Sequence, residues 1–286
     1  MISPLVYPKC PSTYPVARVM ARLFSWFSRL RLADEGASSV PLGSAVYAIG
    51  DVHGRFDLLT SLMAQIRLDA HQHSDDRERL VVFLGDYIDR GLESRQVIDS
   101  MITGEPQGFR VVHLLGNHEQ AMLEFLDGQS IGADWLTYGG LETLYSYGVQ
   151  LKGMPNTAAA VSELRDALIK AVPADHVHFM RRCILTYSEG DYLFVHAGVR
   201  PGVRLDDQSP MDLLWIRDEF LESRTRFEGK VVVHGHTISD KPQNRPYRIN
   251  IDTGAFASGR LTSLVLRGAT RRFLTTGTPI GIRAAT

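Results

Sequence analysis

The chain has 286 residues, 44% of them hydrophobic, enough to bury a large core as one domain or one domain with an appendage. A formal net charge of −1, from 31 basic and 32 acidic residues, leaves no global basic field to hold nucleic acid. Cys10 and Cys183 are the 2 cysteines, so there is no disulfide framework or CxxC site, which fits a reducing, cytoplasmic setting; no apolar run reaches the ~20 residues that span a bilayer. Residues 1–43 differ from the rest. Pro4, Pro8, Pro11 and Pro15 oppose regular structure before Val16. Val16, Met20, Leu23, Phe27 and Leu30 then recur at helical spacing opposite Arg18, Arg22, Ser25 and Arg29. Such a basic amphipathic helix over 16–32 either packs as an extension or lies on the inner, anionic face of a membrane. Residues 34–43 read as a linker.

From residue 45 onward strands and helices alternate, as in an α/β domain. Five apolar, β-branched runs, at 45–49, 80–84, 111–115, 192–195 and 230–233, read as buried strands. Each leads into a short polar block: Gly50-Asp51-Val52-His53-Gly54, Gly85-Asp86-Tyr87-Ile88-Asp89-Arg90-Gly91, Gly116-Asn117-His118-Glu119, His196-Ala197-Gly198 and His234-Gly235-His236-Thr237. Helical spacing follows the first block at Phe56, Leu59, Leu62, Met63 and Ile66, the second at 94–102 and the third at 119–126. Residues 127–190 carry no such block. Their Ala/Leu-rich stretch at 158–172 predicts a helical insertion. Further strands are expected at 248–251 and 261–266, partly antiparallel because their connections are short. The chain thus divides into an extension and linker (1–43), a catalytic domain (44–269) and a C-terminal tail (270–286).

Asp, Asn and His just past several strand ends are what a polynuclear metal site needs, because strands fix the backbone while short polar side chains converge beyond their carboxyl ends. Asp51 and His53 suit one divalent ion, Asp86 is placed to bridge, and Asn117 and His196 with His236 suit a second. This donor set favours Mn, Fe or Zn over Mg or Ca alone. Two such ions can clamp a phosphoryl group and activate a water, so the pattern points to metal-dependent phosphoester hydrolysis. His118 follows a ligand and is aimed at substrate, where an imidazole can protonate a leaving alkoxide; a capping or packing role is the alternative. Arg90 and Arg217 are candidates for a phosphate clamp, since a guanidinium fork matches phosphate oxygens. Asp252 ends a strand and is expected to orient a ligand histidine from behind. Trp26, Trp135 and Trp215 are read as packing residues.

The five blocks in this order, with Trp135-Leu136-Thr137-Tyr138-Gly139-Gly140, Leu214-Trp215-Ile216-Arg217-Asp218-Glu219-Phe220 and Ile251-Asp252-Thr253-Gly254-Ala255 between them, resemble the phosphoprotein phosphatase family. The likeness is to its bacterial and phage branch, within the calcineurin-like metallophosphoesterases, over residues 46–266. It implies an α/β fold of two mixed β-sheets packed face to face with helices outside, an α-β-β-α sandwich. The same six positions carry the metal ligands. Of the two histidines at the fifth strand, His236 becomes the ligand and His234 a support, because the branch has an apolar residue before Gly-His-Thr. Asp89 becomes the partner of His118. Arg217 as a clamp rests on the Trp-Ile-Arg match; a surface ion pair with Asp218 or Glu219 is the alternative. The implied activity is that of a protein Ser/Thr phosphatase with two divalent ions, Mn2+ foremost, and direct in-line attack by water. A small-molecule phosphohydrolase, such as a symmetrical dinucleoside polyphosphate hydrolase, is the second reading, and a non-catalytic phosphate-binding module the third. A phosphorylated protein or small phosphoester is the expected partner, and the oligomeric state stays open.

Overall fold

Alternation within β1 (Ser44–Ile49) sets the layering: Val46 and Ala48 face one hydrophobic core, Ala45, Tyr47 and Ile49 another. The computed structural model describes residues 37–104, 106–129, 132–150 and 157–277, and the compact unit that contains the two sheets begins at Ser38. The first sheet runs β10 (Thr270–Thr275), β9 (Thr262–Arg267), β1, β2 (Glu78–Phe83), β3 (Arg110–His113). β1, β2 and β3 are parallel, while β9 and β10 pair antiparallel. The second runs β4 (Thr186–Glu189), β5 (Tyr192–Val195), β6 (Val231–His234), β8 (Arg248–Asn250), β7 (Gln243–Asn244). In it β5, β6 and β8 are parallel and the edges antiparallel.

The sheets meet through the inward halves of their strands. Val46, Ala48, Val82 and Leu264 pack with Phe194, Val231, Val233 and Ile249. The outer face of the first sheet is covered by helices whose apolar stripes match it. Leu59, Leu62, Met63 and Ile66 of α1 (Phe56–Gln72) and Val97, Ile98 and Met101 of α2 (Ser94–Thr103) enter one core with Ala121, Met122 and Phe125 of α3 (Asn117–Leu126). The outer face of the second sheet, through Leu193, Val195 and Val232, packs on α8 (Pro210–Trp215) and α9 (Asp218–Glu222). Four layers result. The fold is the α-β-β-α sandwich expected from the motifs.

The described part of residues 127–190 is mainly helical: α4 (Gly132–Trp135), a turn (Leu136–Gly140) kinked at Gly139, α5 (Leu141–Ser146), α6 (Ala158–Ala171) and α7 (Ala174–Arg182). Thr157 caps α6 by accepting the Ala160 N–H. A last short helix, α10 (Ala255–Ser258), follows β8.

Three boundaries differ from expectation. Residues 186–189, placed in the helical insertion, form the edge strand β4 on β5. The polar run that reads as a tail is β10 over Thr270–Thr275, with Phe273 entering the intersheet core and the strand hydrogen-bonded along β9. The linker is anchored at its end: Val40 is buried, its N–H bonds Gly268 O at 3.0 Å, and Tyr192 Oη donates to Ser38 O. The helix expected at 16–32 lies outside the described residues. Among the described residues no helix is long and apolar enough to cross a membrane.

Candidate metal centre

β1, β2 and β3 deliver their blocks to one end of the first sheet, while β5 and β6 deliver theirs to the adjoining end of the second. Turning into these blocks forces unusual backbone. His53, Asp86, Asp89, Arg90 and His236 all have positive φ, between 46° and 73°. Non-glycine residues adopt this conformation only where their surroundings over-determine it, and such residues gather at functional sites. Gly235 is required for a separate reason: a Cβ there would strike Asp51 Oδ1.

Asp86 lies at the centre. Its Oδ2 is 3.5 Å from His53 Nε2 and 3.8 Å from His118 Nε2, and its Oδ1 is 3.4 Å from His196 Nε2. Two groups of potential ligands therefore share it, His53–Asp86–His118 and Asp86–His196–His236. Asn117 Oδ1 joins the second, 2.9 Å from His196 Nε2 and 2.8 Å from His236 Nδ1. Asp51 falls in neither trio; its Oδ2 accepts the His236 N–H at 3.0 Å, and its buried Oδ1 has no partner.

The donor chemistry fits divalent ions. His53 Nδ1 donates to Ile88 O and His196 Nδ1 to Leu84 O, which fixes both tautomers and turns each Nε2 lone pair into the site. His236 Nε2 is buried and unpartnered. Burial keeps these rings neutral: it lowers His196, brings His53 down to about 3 despite the Asp86 charge, and with His196 beside it takes His236 to about 2. Asp86 moves the other way. Burial raises its pKa, but the surrounding histidines outweigh this and hold it well below the carboxylate range. Asp51 is raised by burial and by the charges of Asp252 and Asp86. Crowded carboxylates beside unpartnered lone pairs are what a cation stabilises.

His118 is distinct from the other site histidines. Its Nδ1 donates to Asp89 Oδ2 at 2.6 Å. Burial lowers its pKa, yet Asp86 and Asp89 outweigh burial and raise it, opposite to the shifts of His53, His196 and His236. Arg90 stacks on Phe256, 4.9 Å from the ring centroid, and its Nη1 donates to His53 Nε2 at 2.8 Å. Arg217, at the start of α9, reaches His236 O and Thr237 Oγ1 at 3.4 and 3.5 Å. It makes no ion pair with Asp218 or Glu219; Glu219 pairs with Arg200 instead.

Two expected roles are not found. His234 points away from the ions' side: it shares the face of Val232, packs on Phe220, and bonds only Gly235 O. Extended alternation would put it on the side of His236, but the strand ends at His234 and the chain turns at His236, which has φ 61°. Asp252 orients no histidine. Its Oδ1 accepts the Gly254 N–H, and it acts on Asp51 through charge, with its own pKa pushed by burial to about 6. Backbone carbonyls do the orienting.

Sequence reasoning also left residues without a role. Glu119 is buried and accepts four backbone N–H groups. Trp135, read as packing, donates Nε1–H to Asp89 Oδ2 at 2.8 Å, and Thr143 donates to Asp89 Oδ1 at 2.6 Å. A buried Trp N–H and an N3 glutamate each demand partners, and that was the available signal.

A pair of mixed sheets with two groups of potential His/Asp ligands sharing Asp86 at one end is consistent with a binuclear metallophosphoesterase architecture. The profile of calcineurin-like phosphoesterases matches residues 44–256, and the chain belongs to that family. It is 28% identical over 232 residues to bis(5'-nucleosyl)-tetraphosphatase PrpE [asymmetrical] of Anoxybacillus flavithermus, covering 76% of this chain and 88% of the relative. It is equally 28% identical over 228 residues to serine/threonine-protein phosphatase 2 of Salmonella typhimurium, covering 76% and 90%. A solved structure proposed to be a diadenosine tetraphosphatase superposes with TM-score 0.56 at 18% identity, over 84% of this chain and 98% of that one. The last comparison speaks to the fold alone.

Proposed function

We propose that the chain is a phosphomonoesterase acting on phosphoserine and phosphothreonine in proteins. The carrying observation is the His118–Asp89 pair: Nδ1 is engaged at 2.6 Å, so Nε2 is held toward the cluster, 3.8 Å from Asp86 Oδ2. A serine or threonine alkoxide is a poor leaving group and needs a proton as the P–O bond breaks. A nucleotide phosphate is a good one and needs little help. General acid assistance is typically worth ~10²–10⁴-fold, so a dedicated acid has its use in alkyl ester hydrolysis.

In this reading Asp51, His53 and Asp86 would hold one ion, and Asp86, Asn117, His196 and His236 the other. When bound, two divalent ions, Mn2+ foremost, supply charge neutralisation at phosphorus and a water of lowered pKa. Arg90 and Arg217 bind the remaining phosphate oxygens and orient the ester for in-line displacement. Arg90 must release His53 Nε2 to do so, because one lone pair cannot serve both a guanidinium and an ion. His118 then donates its Nε2 proton to the departing alkoxide while Asp89 keeps the ring oriented.

The similarity to the PrpE relatives favours a second reading, cleavage of dinucleoside tetraphosphates, of asymmetrical type by those relatives' printed name. Phosphoserine and phosphothreonine peptides and diadenosine tetraphosphate, assayed side by side on the Mn2+-loaded chain with product analysis, test the choice. Faster phosphate release from the peptides supports the proposal. ATP and AMP from the dinucleotide, with inert peptides, overturn it.

A further inference from the structure

Asp89 and Arg90 are consecutive residues in the left-handed conformation, φ 73° and 66°, and their contacts come largely from the helical insertion. Thr143 Oγ1, on α5, accepts the Asp89 N–H at 2.9 Å and donates to Asp89 Oδ1 at 2.6 Å. Trp135 Nε1, at the end of α4, donates to Asp89 Oδ2, the same oxygen that receives His118 Nδ1–H. Gly139, at the kink between them, accepts the Arg90 N–H at 3.1 Å. Gly139 has φ 112°, and a Cβ there would lie 2.6 Å from Arg90 Cγ and 2.7 Å from its backbone N. Trp135, Thr143 and Asp89 are fully buried, so water cannot replace the bonds that Trp135 and Thr143 make to Asp89.

We propose that residues 135–143 form the positioning element of the site: Trp135 and Thr143 aim the acid pair, and the kink at Gly139 seats the phosphate-binding arginine. Gly139 leaves the helical region, with φ 112°, between the turn that carries Trp135 and the helix that carries Thr143. The break brings the Gly139 carbonyl to Arg90 while Trp135 and Thr143, on either side of it, hold Asp89. One short segment fixes two groups that act on the same phosphoryl ester, the acid on its leaving oxygen and the guanidinium on a non-bridging oxygen. Both jobs constrain Asp89 and Arg90 against relaxing out of their strained backbone.

The inference rests on His118 acting as the acid, and the test separates the two. Trp135→Phe keeps the ring and removes the donor. Measured on the Zn2+-loaded full chain, it should reduce kcat for a phosphoserine peptide about tenfold or more, a part of the full general-acid effect. For p-nitrophenyl phosphate, whose leaving group needs little protonation, the change should stay under about threefold, with KM and metal content unchanged for both. Thr143→Val should behave likewise and Thr143→Ser should recover the rate. Gly139→Ala should instead raise KM for both substrates with kcat less affected. Independently of any turnover, the downfield imidazole proton of the His118 Nδ1–H···Asp89 bond should move in Trp135→Phe. An unmoved resonance, or equal losses on both esters, would overturn the positioning role. An inert peptide in the parent protein together with a moved resonance would overturn only the proposed substrate.

Discussion

Glu119 holds Asp86 in place through the backbone. Glu119 Oε2 accepts the Asp86 N–H at 2.9 Å and the Gly116 N–H at 3.0 Å, while Oε1 accepts those of Tyr87 and Ile88 at 2.7 and 3.2 Å. One carboxylate on the first turn of α3 thus ties the loop after β2 to the loop after β3. Burial, with the charge of Asp86, pushes its pKa up to about 8, and the N–H groups oppose that rise. Glu119→Gln turns one acceptor into a donor facing N–H groups with no water to help. The expected cost is about 2–3 kcal/mol of stability, with weakened metal retention because Asp86 shifts. Thermal unfolding and elemental analysis of the variant beside the parent check both; an unchanged metal content would mean that Asp86 does not depend on this tie.

The shared carboxylate makes a stoichiometric prediction. The metal-loaded chain should hold two transition-metal ions, Asp86→Asn should lose both, and His236→Asn should keep about one, since His236 belongs to one group only. Elemental analysis after gentle purification and metal re-addition is the measurement. Full activity with one ion per chain would refute the binuclear centre.

His118→Asn should cut turnover of a phosphoserine peptide by ~10²–10⁴-fold while leaving both ions bound. The loss should shrink for aryl phosphates. Equal losses on alkyl and aryl esters would make His118 a structural residue, and loss of an ion would place it among the ligands, where its distance to Asp86 also allows it to stand.

Removing residues 1–36 should leave metal content and turnover unchanged, because no candidate ligand or clamp precedes Asp51 and the compact unit that carries them begins at Ser38. Co-sedimentation with anionic vesicles tests the membrane reading of residues 16–32. Binding by the full chain that weakens with salt and disappears on truncation is expected if its arginines meet lipid headgroups. Equal, low binding by both forms would discard that reading.

That these blocks converge on one site was legible because their signal is local: a β-branched run, a glycine, then an Asp or His at a strand end. Asp51, His53, Asp86, Asn117, His196 and His236 need no knowledge of the rest of the chain. What was not legible depends on long-range placement. Trp135 and Thr143 meet Asp89 across 46 and 54 residues, and no spacing rule spans an insertion. The supporting role expected of His234 is not found because strand alternation carries no information past the end of β6, where the chain turns at His236. β4 and β10 were missed for a different reason. Both are edge strands rich in polar residues, and an edge needs only one partner and one buried face.

The second group of ligands draws Asp86 and Asn117 from the first sheet and His196 and His236 from the second, so an ion held there is a cross-link between layers. It closes a chain segment of well over a hundred residues between Asp86 and His236, which is the service a disulfide performs in a secreted protein. An ion there would make that closure by a bond that a chelator can undo. Thermal stability is then expected to rise with free ion, as for any ligand that binds only the folded state. In a metal-starved cell the two sheets would lose their clasp before either lost its own hydrogen bonds.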